Sequence, residues 1–468
     1  MMKKKLSMLL LAAMLIGLLA GCGGKPTETT KAPDAGATKA AEETKQGDPE
    51  KKVETVTYFC GIGAYLGLLQ EEINKWNAGE GAEKGVYIQL TSDIDNFGTS
   101  LRAMAQAGNF PDIYDYSYSY TDFTANGWNR DFRDIPELAE LVDRFKDYLV
   151  DGVHYHNGKL IGLPLEVIPV KFAVNMDLFE KNNLELPKTW DDVVAAAKVI
   201  TENGGGVDYG YGFTYKWSAG FRRMAMKAST SSVGVGYFDN TKKEFDFSPF
   251  KTAIEAHAQM YQDGSMFPDP AEISIDGIRS QFAEGHVGMI TCLGYDIAVY
   301  NDQFPAKCNW KVIDCPTYTE GEAPYYGIYL NRGGVGITSA VSDDRMWAVA
   351  EAVKFLYSYD LYCTLYANGA IIPHEPSISE STALVKDVKN LKEMADLTNY
   401  RPEPLRVDPI LTLEGDNFNT VFQSVLLGDI TFDEACADLN ERYNAAYQKL
   451  KATGENLDAY EQPYDIKK

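Results

Sequence analysis

A run of tyrosines alternates with other residues between Tyr114 and Tyr120, with a tyrosine at every even position. Side chains two residues apart on a strand point to the same face. The spacing therefore predicts that these rings share one face until the strand ends. A tyrosine offers an apolar ring for stacking and a hydroxyl for hydrogen bonding, so the run could pack in a core or contact a ligand.

Two further patterns begin like metal sites and do not complete them. Asp93–Gly98 starts like a calcium loop, but Phe97 occupies a ligand position and Met104 stands where the bidentate Glu is needed. His154 and His156 could hold a metal, but a surface strand explains them better because no Cys pair accompanies them. No P-loop, Gly-x-Ser-x-Gly or His-Glu-x-x-His motif is present in the sequence. We expect no metal, no cofactor and no enzymatic activity.

Composition excludes one class of partner. The 468 residues include 44 Lys+Arg and 67 Asp+Glu, for a net charge of −23. Such a chain lacks the cationic surface that nucleic acids require, so we expect no nucleic-acid partner. Of the seven cysteines, Cys308 and Cys315 are the closest conceivable bridge after export, with scattered buried thiols as the alternative.

The N-terminus is typical of an export signal. Lys3–Lys5 are basic, and the apolar run Leu6–Leu19 is shorter than the roughly 20 residues that a permanent membrane helix needs. Leu19-Ala20-Gly21-Cys22 resembles the lipobox of bacterial lipoproteins, which implies a signal peptide over 1–21 and lipidation of Cys22. An ordinary secreted protein with a chance cysteine is the alternative.

The next segment predicts a tether. Residues 23–52 contain no aromatic and no large aliphatic side chain, so they cannot bury enough apolar surface to fold. We expect a disordered tether over 22–52, which would reach roughly 30 Å. We therefore predict that the folded part of the protein is held by lipid on the outer face of a cell membrane. We expect the surface of a Gram-positive type of cell rather than a periplasm.

From Val53 the chain alternates strands and helices. Val53–Cys60 and Val86–Leu90 read as strands, Tyr65–Trp76 and Phe97–Ala107 as helices, and Pro111 starts a third strand. This order predicts an α/β sheet with parallel crossovers. Further strands are predicted at 171–175, 209–214, 287–291 and 334–338, and helices at 189–201, 250–262, 275–284, 343–359, 418–427 and 432–450. The stretch after Glu380 is expected to be almost all helical.

Motifs in the middle of the chain carry a family resemblance. Asn157–Pro164 reads NGKLIGLP, Phe172–Phe179 reads FAVNMDLF, and Leu186–Asp192 reads LPKTWDD. This order resembles the extracellular solute-binding proteins of sugar ABC transporters, the maltose-binding-protein-like family 1. Ile161 departs from the usual Tyr. Ala107–Asp112, Phe282–Met289 and Phe422–Ala435 match further family segments in order, so the resemblance spans 53–450.

The resemblance implies a fold of two α/β lobes, of the periplasmic-binding-protein type II, with a hinge and a ligand cleft between the lobes. The chain would cross near Val170, return near Tyr318 and cross again near Ser377. The implied segments are 53–170 and 319–377 for the N-terminal lobe, and 171–318 and 378–468 for the C-terminal lobe.

The resemblance also implies ligand-binding positions. The stacking aromatics would be Tyr65, Tyr116, Trp217 and Tyr295, and the polar contacts would be Glu166, Asp296, Asn417 and Asn419. Core packing is the alternative for the tyrosines. Helix capping is the alternative for Asp296 and Asn417, and a hinge role is the alternative for Glu166.

The implied function is a binding protein, expected to be a monomer, that captures a sugar or oligosaccharide and delivers it to ABC transporter permease subunits. Another polar solute, such as a polyol, a glycerophosphodiester or an amino-sugar, is the first alternative. A surface glycan-cleaving enzyme and a surface adhesin are the others.

Overall fold

The computed structural model describes residues 53–63, 65–94, 96–116, 123–124, 126–234, 236–331, 334–375, 378, 388–462, 464 and 467–468. The predicted signal peptide, Cys22 and the tether lie outside these ranges and stay predictions. The predicted crossing at Ser377 also lies outside them. Within the described residues, no helix is both long enough and apolar enough to cross a bilayer.

Fourteen strands occur in the described residues. In chain order, β1 to β14 are Glu54–Cys60, Val86–Ser92, Ile113–Asp115, Tyr155–His156, Lys159–Leu160, Val167–Asn175, Tyr209–Gly212, Phe238–Asp239, Glu244–Phe245, Val287–Leu293, Trp310–Ile313, Gly327–Asn331, Val335–Ile337 and Tyr400–Pro402.

The described α-helices number fifteen. In chain order, α1 to α15 are Leu66–Ala78, Glu80–Lys84, Phe97–Gln106, Ala139–Phe145, Met176–Lys181, Trp190–Glu202, Thr230–Val233, Lys251–Gln262, Ile275–Glu284, Asp296–Ala298, Met346–Leu356, Tyr359–Ala367, Leu391–Ala395, Phe418–Leu427 and Phe432–Ala452. Short 3₁₀ turns cover Phe132–Asp134, Pro136–Leu138, Lys146–Tyr148, Lys227–Ser229, Ser248–Phe250 and Asp408–Ile410, and π-helical turns cover Phe221–Met226 and Val299–Gln303.

The first sheet has the strand order β13-β3-β1-β2. β1 is parallel to both β2 and β3, and α1 and α3 follow β1 and β2 in the chain. The predicted strand–helix alternation over 53–115 is therefore confirmed. β13 closes the edge antiparallel to β3, with Val335 opposite Asp115.

The second sheet has the order β14-β12-β6-β10-β7, and β11 also pairs with β6. All nine residues of β6 are buried. Its first part pairs with β12 and the remainder with β10 and β11, all antiparallel. A strand that is covered on both faces reads as a continuous apolar run, which explains the sequence VIPVKFAVN.

The chain passes between the two sheets three times. It leaves the first sheet after β3 and enters the second at β6, returns after β12, and reaches the second sheet again at β14. β12 pairs with β6, and the next strand, β13, pairs with β3. The two sheets form the cores of two lobes, here called the first and second lobe. The exact lobe boundaries stay a prediction.

Local signals explain the ends of several helices. Thr189 and Asp192 form a capping box at the start of α6, in which each side chain accepts a hydrogen bond from the other residue's backbone N–H. The helix predicted over 343–359 is shorter, Met346–Leu356, and a separate helix, α12, begins at Tyr359, where Ser358 accepts a hydrogen bond from the Leu361 N–H. The expectation of an almost wholly helical C-terminal stretch is wrong at β14, an extended segment that pairs with β12.

A tightly packed core joins α6 to the second sheet. Gly210 in β7 lets α6 approach so closely that a Cβ there would lie 2.1 Å from the Ala197 Cα. Nearby, the Tyr211 hydroxyl lies 3.0 Å from Nε2 of His257, which is fully buried. Burial lowers the pKa of His257 to about 4, so the ring is neutral near neutral pH.

The six described cysteines are free thiols, and all except Cys315 are buried. Burial raises the pKa of the Cys308 thiol to about 11, so it stays protonated. The structure therefore contains no bridge between Cys308 and Cys315.

Candidate functional site

The end of β10 brings Tyr295 to the surface of the second lobe. β10 is buried throughout, Gly294 makes the turn, and the Tyr295 side chain is half-buried. A Cβ at Gly294 would lie 3.0 Å from Cδ of Pro169 and 3.3 Å from the Cα of Ile168. The turn therefore packs directly on β6, and this contact fixes the position of the Tyr295 backbone.

Two arginines hold the Tyr295 side chain. Nη1 of Arg223 donates a hydrogen bond to the Tyr295 hydroxyl over 3.2 Å. The guanidinium of Arg279 lies 5.4 Å from the centroid of the Tyr295 ring, within the range of a cation–π contact. The ring is thus restrained both at its hydroxyl and at its face before any ligand arrives.

Asp296 lies behind this ring and is 2 % exposed. Its Oδ1 is 2.6 Å from Nη2 of Arg279, and its Oδ2 accepts a hydrogen bond from the Leu293 N–H over 2.7 Å. Burial raises the pKa of the Asp296 carboxyl, and the charge of Arg279 opposes that rise. Both carboxylate oxygens are engaged by the protein, so the geometry favours a positioning role for Asp296.

Trp217 completes the aromatic surface. The guanidinium of Arg223 lies 5.3 Å from the centroid of the half-buried Trp217 ring. The next residue, Ser218, accepts a hydrogen bond at its carbonyl from Nδ2 of Asn419 over 2.6 Å. The structure thus brings three predicted positions, Trp217, Tyr295 and Asn419, into one chain of contacts. We call Trp217, Arg223, Arg279, Tyr295 and Asp296 the second-lobe cluster.

Asn417 has a different setting. It is the N-cap of α14, and its side-chain oxygen accepts hydrogen bonds from the N–H groups of Asn419 and Thr420. This capping geometry is the alternative considered for Asn417. It orients Asn419 toward Ser218, and a ligand role for Asn417 itself stays a prediction.

The predicted tyrosines of the first lobe are buried. Tyr65 is 4 % exposed and Tyr116 is 1 % exposed. The Tyr116 ring meets the His156 ring edge-on at 6.0 Å, and its backbone N–H donates to the Gly334 carbonyl over 2.6 Å. In this arrangement both rings pack against the protein, and contact with a ligand stays a prediction.

The loop that precedes Tyr65 is held by an acidic residue that the sequence analysis did not single out. Asp115, at the end of β3, accepts a hydrogen bond from the Gly61 N–H at Oδ2 and one from the Tyr58 hydroxyl at Oδ1, both over 2.6 Å. Asp115 is 3 % exposed. These two hydrogen bonds therefore hold the loop after β1 against the end of β3.

Glu166 lies where the chain first enters the second sheet and is 1 % exposed. Its backbone is hydrogen-bonded to His374, whose pKa is lowered to about 4 by burial. The Glu166 charge is also one cause of the raised pKa of Tyr362. These neighbours place Glu166 at the passage between lobes, and a ligand or hinge role stays a prediction.

The sequence analysis missed Arg223 and Arg279. Arg223 lies in the π-helical turn Phe221–Met226, and such turns are frequent at functional sites. Arg279 lies on α9 and is 7 % exposed. A buried arginine needs a partner, but the sequence alone does not show that Asp296, 17 residues on, supplies it.

The second lobe also contains a small cavity of about 40 Å³. Its polar lining includes Lys227, Glu403, Tyr237, Arg406 and Asp408. Lys227 and Glu403 form an ion pair whose side chains are each 8 % exposed. The cavity has room for little more than water, so we assign no solute to it.

Comparison with known proteins identifies the family. Residues 76–395 match the model of the bacterial extracellular solute-binding proteins. The melibiose/raffinose/stachyose-binding protein MelE of Bacillus subtilis is 20% identical over 80% of this chain and 85% of its own. The sn-glycerol-3-phosphate-binding periplasmic protein UgpB of Brucella abortus is 24% identical over 64% of this chain and 66% of its own.

Solved structures agree on the fold. The ABC substrate-binding protein Lmo0181 of Listeria monocytogenes, in complex with cycloalternan, superposes with a TM-score of 0.64 at 19% identity. The match covers 86% of this chain and 100% of that chain. At this identity the likeness establishes the two-lobe fold. With the family match over residues 76–395, it follows that the chain belongs to the bacterial extracellular solute-binding proteins.

Proposed function

We propose that this protein captures a sugar or oligosaccharide outside the cell and delivers it to the permease of an ABC transporter. The observation that carries the proposal is the half-buried aromatic pair Trp217 and Tyr295, restrained by Arg223 on one lobe of a two-lobe fold. Sugar rings present C–H faces that stack on aromatic rings, and their hydroxyls accept and donate hydrogen bonds. MelE and Lmo0181 bind saccharides, which supports the same class here.

The proposed mechanism is closure of the lobes over the ligand. Contacts made to both lobes exist only in the closed state, so the ligand shifts the population toward that state. Trp217, Tyr295 and Asn419 would supply the second-lobe contacts. Tyr65, Tyr116 and Glu166 are the first-lobe candidates, and the two tyrosines would have to gain exposure to reach a ligand.

A titration of purified protein with stachyose, raffinose and maltotriose tests the proposal. We expect one saccharide to bind, and Tyr295→Ala and Trp217→Ala each to weaken binding about tenfold or more, since a stacking ring contributes roughly 1.5 kcal/mol or more. Tyr87→Ala is a matched control, because Tyr87 is an exposed tyrosine on β2. Equal affinity in all variants would place the site elsewhere.

A second candidate ligand is a polar phosphoester. UgpB, whose name gives sn-glycerol-3-phosphate as its ligand, is more identical to this chain than MelE is. A glycerophosphodiester, polyol or amino-sugar would use the same cleft. Binding of glycerol 3-phosphate with no response to the three oligosaccharides would favour this candidate.

A glycan-cleaving activity is another alternative, although the family consists of substrate-binding proteins. Incubation with the saccharide that binds, followed by chromatography, distinguishes the two. We expect intact ligand and no product. Permease delivery is tested by uptake of the same saccharide in cells with and without the gene.

We further propose that the protein is anchored by lipid at Cys22 and is otherwise a monomer on the outer surface of the cell. The basic and apolar residues before Leu19-Ala20-Gly21-Cys22 support this anchoring. Mass spectrometry of the N-terminal peptide should find a diacylglyceryl group on Cys22. Cys22→Ala should release the protein into the medium, and an unchanged membrane fraction would contradict the proposal.

A further inference from the structure

Arg223 is the charged group that the second-lobe cluster leaves without a counter-charge. Its Nη1 bonds the Tyr295 hydroxyl and its guanidinium faces the Trp217 ring. Its Nε is buried and has no hydrogen-bond partner among the described residues. Arg223 also forms no ion pair with any described carboxylate. The guanidinium is therefore positioned by neutral groups and retains unused donors.

Three other arginines of the second lobe differ in this respect. Arg279 pairs with Asp296 over 2.6 Å, Arg406 pairs with Asp408, and Arg442 pairs with Asp438. In a chain of net charge −23, acidic partners are plentiful. Arg223 has none among the described residues and lies between two half-buried aromatic rings.

Arg223 is one of several cationic groups that act on the buried Lys227. Burial lowers the pKa of Lys227 well below its ordinary value, and the charges of Arg222, Arg406 and Arg223 lower it further. Several cationic groups therefore act on one small region of the second lobe. Lys227 is paired with Glu403 and Arg406 with Asp408, whereas Arg223 has no such partner among the described residues and can attract an anion.

Closure of the cleft would raise the energetic cost of leaving Arg223 without a counter-charge. When the lobes close over a ligand, water leaves the site, and an unpaired cation becomes costly to bury. An oxyanion on the ligand removes this cost, because a guanidinium binds carboxylate and phosphate oxygens in a bidentate fork. A neutral sugar supplies only hydroxyls.

We propose that Arg223 is the charged contact of the ligand site, and that the ligand is a saccharide or polyol bearing an oxyanion, either a carboxylate or a phosphate ester. The inference rests on the proposed function and names the ligand class for the same site. Trp217 and Tyr295 would hold the carbon skeleton while Arg223 takes the charged group.

Calorimetric titration with matched pairs tests the inference. Trigalacturonate is compared with its methyl ester for the carboxylate, and glucose 6-phosphate with glucose for the phosphate. We expect the charged member of one pair to bind about tenfold or more tightly than its neutral partner, and the responding pair identifies the group. Arg223→Gln should remove that difference, since hydrogen bonds to a charged group give about a ten- to hundredfold gain.

Lys198→Gln is the charge-matched control. Lys198 lies on α6 of the same lobe, and its exposed side chain forms only a long ion pair with Glu202, 3.9 Å from nitrogen to oxygen. Because Lys198 is not part of the second-lobe cluster, its loss should leave both affinities unchanged. Thermal unfolding of Arg223→Gln verifies that the variant is folded.

The other outcomes separate the two proposals. Tight binding of stachyose with no preference for either charged probe would overturn the oxyanion inference and leave saccharide binding intact. A charged preference that survives in Arg223→Gln would also overturn it. Failure of every saccharide, neutral and charged, would reject the proposed function and this inference with it.

Discussion

Arg279 and Asp296 form a buried ion pair, 2.6 Å from Nη2 to Oδ1, directly behind the Tyr295 ring. The pair links α9 to the turn that follows β10, because Asp296 also accepts the Leu293 N–H. A surface aromatic residue is thus fixed by a charged pair that faces inward. The orientation of Tyr295 depends on this pair as much as on its own packing.

We expect Asp296→Ala to cost about 3–5 kcal/mol of unfolding free energy, because it removes the buried partner of a buried guanidinium. Urea denaturation measures this loss. Asp276→Ala is the matched control: Asp276 also contacts Arg279, but its side chain is 53% exposed, so its loss should cost about 1 kcal/mol or less. Equal losses in both variants would contradict a structural role for the buried pair.

Gly294→Ala should displace Tyr295. The new methyl group would press on Pro169 and Ile168 of β6, whose backbone cannot move freely because β6 is buried. We expect about 1–3 kcal/mol of destabilisation and weaker ligand binding, measured by denaturation and calorimetry. Gly67→Ala, in α1 with open space at its Cβ, is the control and should be neutral or stabilising. An unchanged affinity in Gly294→Ala would show that the turn does not set the site.

The Lys227–Glu403 pair provides a third prediction. Glu403→Ala leaves the Lys227 ammonium buried beside three arginines, and we expect a loss of about 3–5 kcal/mol. The double variant Lys227→Met with Glu403→Leu should recover most of that loss, since apolar residues of similar size replace both charges. If the double variant is as unstable as Glu403→Ala, the cavity requires polar groups for another reason.

His257 predicts a pH dependence of stability. Its pKa is lowered to about 4 in the folded protein by burial, against about 6.5 in an unfolded chain. Between these values the unfolded state binds more protons, so stability is full above pH 6.5 and falls as the pH drops toward 4. The loss from this ring should approach about 3 kcal/mol.

Urea denaturation at a series of pH values measures that slope. His257→Gln should make it less steep by the share of this ring, whatever its effect on stability at pH 7, because His156 and His374, also lowered to a pKa of about 4 by burial, keep their own shares. His286→Gln, which removes an exposed histidine beside Asp208, is the control. A slope unchanged by His257→Gln would assign the acid sensitivity to other groups.

The sequence predicted the first sheet well because its signals are local. Strands β1 and β2 and helices α1 and α3 follow from hydrophobic periodicity, and the α6 capping box follows from Thr189 and Asp192. The pairing of β12 with β6 and β14 joins segments far apart in sequence, and no local pattern encodes that choice. The same limit explains the short strand Tyr400–Pro402 inside a stretch expected to be helical.

The family motif predicted that Tyr295 follows a strand end, and it does follow β10; its contact with a ligand stays a prediction. Arg223 and Arg279 were not predicted, because their role depends on contacts with residues 72 and 17 positions away. The capping role of Asn417 followed from its place before an apolar helix. The sequence did not determine whether Tyr116 is buried, because an alternating strand does not reveal which of its faces meets the core.

The antiparallel register of β13 with β3 has a consequence for how the protein is made. Val335 pairs with Asp115, so a chain synthesised from its N-terminus cannot finish the first sheet until more than two-thirds of it has emerged. Bringing such distant segments together is entropically slow. The nascent chain therefore remains incompletely folded for most of its synthesis.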